Sequence, residues 1–378
     1  MADGSVLGFS DDKFAAVSDL FEANLASGAD LGASFTATVD GETVVDLWGG
    51  WADAAKTRPW ERDTLVNVYS TTKTMTALTA LLVADRGELD FDAPVARYWP
   101  EFAAAGKAEV KVSHLMAHSS GLSGWQEPIT RDDLYDWDKA TAMLAAQAPF
   151  WAPGTAPGYH ALTQGYLVGE VVRRITGRSL GTVFREEIAE PLGADFHIGM
   201  PAEHDARVAE LIPPPAPVPS EMGAPSALLL NMMTNPHTNP ADTRTRAWRA
   251  AEIPAAGGQG SARSVAEIHV LLANGGVAKG KRILSEAGCR KALEPQVEGV
   301  DLVLGIPAKY GLGFGLNPMI PLPSANSLFW GGYGGSLIII DMDARATYAY
   351  AMNKMGLTTI GDARGLGMAM AMWEVLSA

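Results

Sequence analysis

From Thr74 to Ala84 the chain reads Thr-Met-Thr-Ala-Leu-Thr-Ala-Leu-Leu-Val-Ala, 11 residues without a charge. A helix of that composition has no polar face to turn toward water, so the fold must enclose it on all sides. Only a layered protein with a large core can do this, and 378 residues with 47% hydrophobic and 19% charged side chains supply one. Disordered and fibrous architectures do not fit that composition.

The two ends of the chain suggest what surrounds the helix. Ser10-Asp11-Asp12 reads as a helix N-cap with acidic residues in the first turn, followed by Phe14, Val17, Phe21 and Leu25 at helical spacing. Ala33 to Val39 and Glu42 to Trp48 read as strands joined by Asp40-Gly41, a type I′ hairpin signal. Near the other end, a β-rich run from Ser327 to Asp341, a turn through Met342 to Arg345, a strand to Asn353 and a helix over Arg364 to Leu376 repeat the pattern in reverse. The expected fold is α/β (α+β): one antiparallel sheet built from both termini with flanking helices, plus a mainly helical part. Residues 1–75 and 250–378 are assigned to the discontinuous α/β domain and residues 76–249 to the helical region. The Pro-rich run Pro213 to Pro219 within that region reads as an extended surface connection or a pocket rim.

Charge and cysteine content narrow the function. A formal net charge of −14 opposes a nucleic-acid partner, which needs a basic face. The single cysteine, Cys289, excludes an intrachain disulfide and a multi-cysteine zinc site, and reads as an inert buried thiol. The N-terminus lacks the basic start and apolar run of a secretory signal, so a cytoplasmic location is expected. No stretch reaches the length of a membrane helix, which predicts no membrane insertion.

Just before the uncharged run stands Ser70-Thr71-Thr72-Lys73. Residues i and i+3 share a helix face, so the hydroxyl and the amine can approach each other. Spacing alone is weak evidence, because Ser10 and Lys13 share it at a capped surface helix. Lys73 differs in leading into the buried run, where desolvation lowers its pKa toward that of a base able to take a serine proton. The competing reading of Ser70 is a plain N-cap.

Two further segments favour chemistry. Trp151-Ala152-Pro153-Gly154-Thr155-Ala156-Pro157-Gly158-Tyr159 leads into a helix over Thr163 to Thr176, and Trp330-Gly331-Gly332-Tyr333-Gly334-Gly335 puts glycines in a strand where a ligand could approach the backbone. In this order the motifs resemble those of the serine β-lactamase and penicillin-binding protein superfamily, and most closely the family VIII carboxylesterases, which resemble class C β-lactamases. Leu115-Met116-Ala117-His118-Ser119-Ser120-Gly121-Leu122 and the glycine-rich turn Gly257-Gly258-Gln259-Gly260-Ser261-Ala262 extend the likeness, which runs from about Leu31 to Asn353.

The resemblance implies that Ser70 is the nucleophile, Lys73 its activating partner, and Tyr159 a general base or proton shuttle. It implies an oxyanion hole from the N–H groups of Ser70 and Tyr333, with Trp330, Gly331 and Gly332 beside the substrate. No metal or organic cofactor is implied, and the expected partner is a small-molecule ester. Where lactamases have Tyr-x-Asn this chain has Tyr159-His160-Ala161, and where they have Lys-Thr-Gly it has Trp330-Gly331-Gly332. Both departures favour neutral short-chain esters over β-lactams, with His160 a partial substitute for the amide. Trp125, Tyr135, Trp137 and Trp151 are expected to wall an acyl pocket, with Met232 and Met233 at its entrance. The alternatives are a β-lactamase, D-amino-acid peptidase or acyltransferase of the same fold, and a penicillin-binding-like module that binds without turnover.

Other signals are weaker. His114 and His118, four apart on an expected helix, have metal-ligand spacing but no evident third ligand, so a structural role is favoured. No Gly-x-Ser-x-Gly elbow and no phosphate-binding loop occurs.

Overall fold

The computed structural model describes residues 5–214, 225–359 and 361–377, so Pro215 to Pro219 of the Pro-rich run lie outside the described residues. The described chain begins with a strand that sequence reading missed, β1 (Leu7–Ser10). Ser10 therefore ends a strand instead of capping a helix. A 3-10 turn, Asp12–Phe14, intervenes before helix α1 (Ala15–Ala26), and the Ser10 hydroxyl donates to the Phe14 carbonyl at 3.2 Å. Phe14, Val17 and Phe21 are buried as their spacing predicts.

Strands β2 (Gly32–Val39) and β3 (Glu42–Gly50) form the expected hairpin. Asp40 and Gly41 have φ of 51° and 86°, the left-handed pair that a type I′ turn requires and that matches the twist of the flanking strands. The decisive long-range pairing is between β2 and the strand Ala346–Met352, antiparallel with Phe35 opposite Tyr350. It joins the two ends of the chain in one nine-stranded sheet. The order runs β1, β3, β2, then Ala346–Met352, Leu337–Asp341, Ser327–Gly331, Gly315–Leu316, Pro307–Tyr310 and Val297–Val300. β2 is buried along nearly its whole length, so helices must cover both faces. The helix Ala262–Ala273 lies over β2 and Ala346–Met352, where the Ala262 N–H donates to the Ser34 hydroxyl. The terminal helix Ala363–Leu376 packs with α1.

The uncharged run becomes helix α2 (Thr72–Asp85), buried continuously from Thr72 to Val83. Its threonine hydroxyls remain satisfied inside the protein. Thr74 donates to the Thr71 carbonyl, Thr79 to Met75, and Thr76 to Pro254 on a neighbouring segment. Helices α3 (Val112–Met116), α4 (Trp137–Ala146) and α5 (Thr163–Thr176) build the layer beside it, with α5 packed against all three. Cys289 is buried, its thiol 3.5 Å from the Leu271 carbonyl and pushed up to about 12 by burial, which keeps it protonated. Among the described residues, no helix is long and apolar enough to cross a membrane.

Candidate active site

Ser70 lies on a 3-10 turn, Tyr69–Thr71, that feeds directly into α2. In a 3-10 turn residues i and i+3 eclipse, which brings Lys73 under Ser70 as the spacing predicts. No side-chain capping bond exists at this helix start. The Ser70 hydroxyl is instead engaged by two side chains, the Lys73 Nζ at 3.1 Å and the Tyr159 hydroxyl at 2.5 Å.

Lys73 is fully buried, and its remaining partners are the Ala161 carbonyl at 2.7 Å and the Ala255 carbonyl at 3.0 Å. The Ser70 oxygen is the third acceptor around the Lys73 Nζ, beside the two carbonyls. Burial drives the Lys73 pKa well below the ordinary lysine value.

Tyr159 arrives from a loop without regular structure, held by its neighbours' backbone. Gly154 N–H donates to the Ser119 carbonyl and Gly158 N–H to the His118 carbonyl, both at 2.8 Å. Burial raises the Tyr159 pKa, the Ser70 hydrogen bond opposes that shift, and the charge of Asp301 adds to it. The Lys73 Nζ lies 4.9 Å from the ring centre, over its face and not at its oxygen. Burial therefore favours the neutral phenol at Tyr159, whose hydroxyl donates to Ser70.

The strand Ser327–Gly331 delivers the third motif. Trp330 is buried, stacked on His118 with centroids 5.2 Å apart, and its ring centre lies 6.1 Å from that of Tyr159. At the strand end Gly332 N–H donates to the Ser336 carbonyl, and the Ser336 hydroxyl in turn donates to the Val68 carbonyl at 2.8 Å. A Cβ on Gly332 would stand 2.2 Å from the Val68 oxygen and 3.3 Å from the Ser70 nitrogen, so only glycine allows this approach to the Ser70 turn. Among the described residues, no acceptor holds the Tyr333 N–H. The Tyr333 ring meets that of Tyr69 edge-on at 5.5 Å.

Several residues expected at the substrate go elsewhere. Trp125 is core: its indole N–H donates to the Ala140 carbonyl and its ring meets Tyr166 edge-on. Tyr135 lines a different cavity of about 570 Å³ with Trp137, Arg173 and Glu252. His160 is buried with both nitrogens engaged, Nδ1 by the Gly158 carbonyl at 2.5 Å and Nε2 by the Ser120 hydroxyl at 2.8 Å. Both ring nitrogens thus have partners within the protein. His114 and His118 do not share a helix, because α3 ends at Met116 and His118 has φ of 57°. His118 Nδ1 accepts the His160 N–H, a structural role as favoured from sequence. Met232 and Met233 sit on the helix Ala227–Thr234, whose Asn231 side chain donates to the Trp125 carbonyl.

Sequence reasoning missed the carbonyls of Ala161 and Ala255, the Ser336 hydroxyl, and Asp301 with Tyr310. Backbone carbonyls leave no trace in residue type. Asp301 is a lone acid in an unpatterned segment, so nothing local singles it out.

Known proteins share this arrangement of elements. A family model described as Beta-lactamase matches residues 17–369. The chain is 35% identical over 369 residues to a protein of Mycobacterium tuberculosis (strain ATCC 25618 / H37Rv) named esterase/beta-lactamase LipL, covering 93% of this chain and 83% of that one. It resembles the crystal structure of a family VIII carboxylesterase with a TM-score of 0.92 and 44% identity, over 98% of this chain and all of the other. A penicillin-binding protein homologue from Caulobacter crescentus matches with a TM-score of 0.91 and 39% identity over 98% of this chain and 100% of that one.

Proposed function

The chain belongs to the beta-lactamase family and is a serine ester hydrolase, and from that membership we propose that it cleaves short-chain carboxylic esters through an acyl-enzyme on Ser70. The observation that carries this reading is the shared Ser70 hydroxyl, held between the Lys73 amine and the Tyr159 hydroxyl. Lys73 takes the Ser70 proton as Oγ bonds to the ester carbonyl carbon. The N–H groups of Ser70 and Tyr333 hold the developing oxyanion. As the carbon to alkoxide bond breaks, Tyr159 gives its proton to the leaving alcohol and is reprotonated by Lys73, which holds the proton taken from Ser70. Water then attacks the acyl-enzyme by the same route in reverse, and both groups return to their starting protonation states.

Esters are favoured over β-lactams because position 330 is a neutral indole stacked on His118, and Ala161 offers no side-chain amide. The protein supplies an anchor for neither a substrate carboxylate nor an acylamino group at those places.

The test is to trap the intermediate. Brief reaction with p-nitrophenyl butanoate should add one butanoyl mass to the peptide containing Ser70 and release p-nitrophenol catalytically. Ser70→Ala should lose both signals. Full turnover by Ser70→Ala would sink the mechanism, and a stoichiometric burst without steady state would mark a binding module instead.

A further inference from the structure

The hairpin of Val297–Val300 and Pro307–Tyr310 places one buried acid behind Tyr159. The Asp301 Oδ1 accepts three N–H groups, those of Tyr159 at 3.1 Å, Val303 at 2.9 Å and Leu304 at 2.8 Å. Its Oδ2 accepts the Tyr310 hydroxyl at 3.0 Å. The hairpin is also fastened to the Tyr159 loop by the Leu302 N–H, which donates to the Pro157 carbonyl at 2.9 Å.

The geometry points to Asp301 as a positioning residue that fixes Tyr159 as the proton donor to the leaving alcohol, an assignment that rests on the mechanism proposed above. A loop without helix or strand bonds has to be located by tertiary anchors. Asp301 holds the backbone of Tyr159 itself, 142 residues away in sequence, while also bonding the ring of Tyr310, which lies 5.7 Å from Trp330. His118 fills the space between, with ring centres 5.3 Å from Tyr159 and 5.0 Å from Tyr310. The carboxylate is buried, and four hydrogen bonds compensate its desolvation. Such a group is costly to maintain as mere loop support. Its negative charge also opposes ionisation of Tyr159, which keeps on the phenol the proton that the alcohol requires.

The experiment compares two esters of one acid. Ethoxide needs a proton to leave, whereas p-nitrophenolate leaves without one. Asp301→Asn keeps an oxygen for the three N–H donors and removes the charge. It should lower kcat/KM for ethyl butanoate about tenfold and for p-nitrophenyl butanoate by less than about threefold, with the melting temperature nearly unchanged. Tyr159→Phe should show the same bias more strongly, and Tyr310→Phe more weakly. Equal losses on both esters in Asp301→Asn, or no loss, overturn the assignment and leave Asp301 a loop support. Equal losses in Tyr159→Phe overturn the donor role of Tyr159, and the assignment of Asp301 with it.

Discussion

Lys73 stands 3.1 Å from the Ser70 oxygen, and both of its other partners are carbonyl oxygens. In the mechanism proposed above the neutral amine takes the Ser70 proton, and burial favours that form by driving the Lys73 pKa well below its ordinary value. Activity should therefore disappear as pH falls through the lowered pKa of Lys73, giving an acid limb in kcat/KM. Lys73→Arg, charged at every accessible pH, should retain less than about 1% activity at all pH values. A pH–rate profile of both proteins checks this.

Gly332 tests the approach of the third motif to the nucleophile. Its missing Cβ would stand 2.2 Å from both the Val68 oxygen and the Ser336 hydroxyl. Gly332→Ala must push the strand end away from the Ser70 turn and so misplace the oxyanion donors. A loss of about 100-fold in kcat is expected, with a smaller change in KM, by steady-state kinetics.

Lys107 offers an internal comparison with Lys73. It is buried too, but all three of its acceptors are carbonyls, those of Ala104, Ala145 and Gln147. Three carbonyls match an ammonium, and although burial pushes its pKa down to about 8, it stays protonated at neutral pH. Lys107→Met leaves three buried carbonyls unpaired, so urea unfolding should show a loss of about 3 kcal/mol with kcat unchanged at low temperature.

Three buried histidines make stability depend on acid. Burial lowers His160 to about 3 and His269 to about 4, and holds His118 well below the ordinary histidine value of 6.5. The folded protein holds them neutral while the unfolded chain takes up protons below about pH 6.5, so their contribution is complete above that pH and is lost as pH falls. Each should cost up to about 1.4 kcal/mol per pH unit below it. Urea midpoints measured from pH 7.5 to 5 should fall accordingly. A flat series would contradict the neutral assignment.

Much of the scaffold was legible because its signals are local. The uncharged run could only be an enclosed helix, and Asp40-Gly41 could only turn tightly. Strand β1 was not, because Leu7-Gly8-Phe9-Ser10 is a strand of only four residues at the sheet edge, too short for its alternation to stand out. The aromatic residues before Tyr159 were readable as a cluster without direction. Packing alone sends Trp125 inward to Ala140 and Tyr135 toward a separate cavity.

By itself the sequence determined which groups are brought to the nucleophile turn: Ser70 and Lys73 by helical spacing, Tyr159 and the Trp330 strand by a resemblance in motif order. It also determined that Lys73 would be buried, since the residues after it offer nothing to water. Only the tertiary structure decided the surroundings of that set. The Lys73 amine is enclosed by the carbonyls of Ala161 and Ala255, remote segments whose residue types say nothing of where their backbone points. The same holds for Asp301, which reaches Tyr159 through a hairpin folded across 142 residues of chain. Local chemistry names the reactive groups, and long-range backbone placement sets their electrostatics.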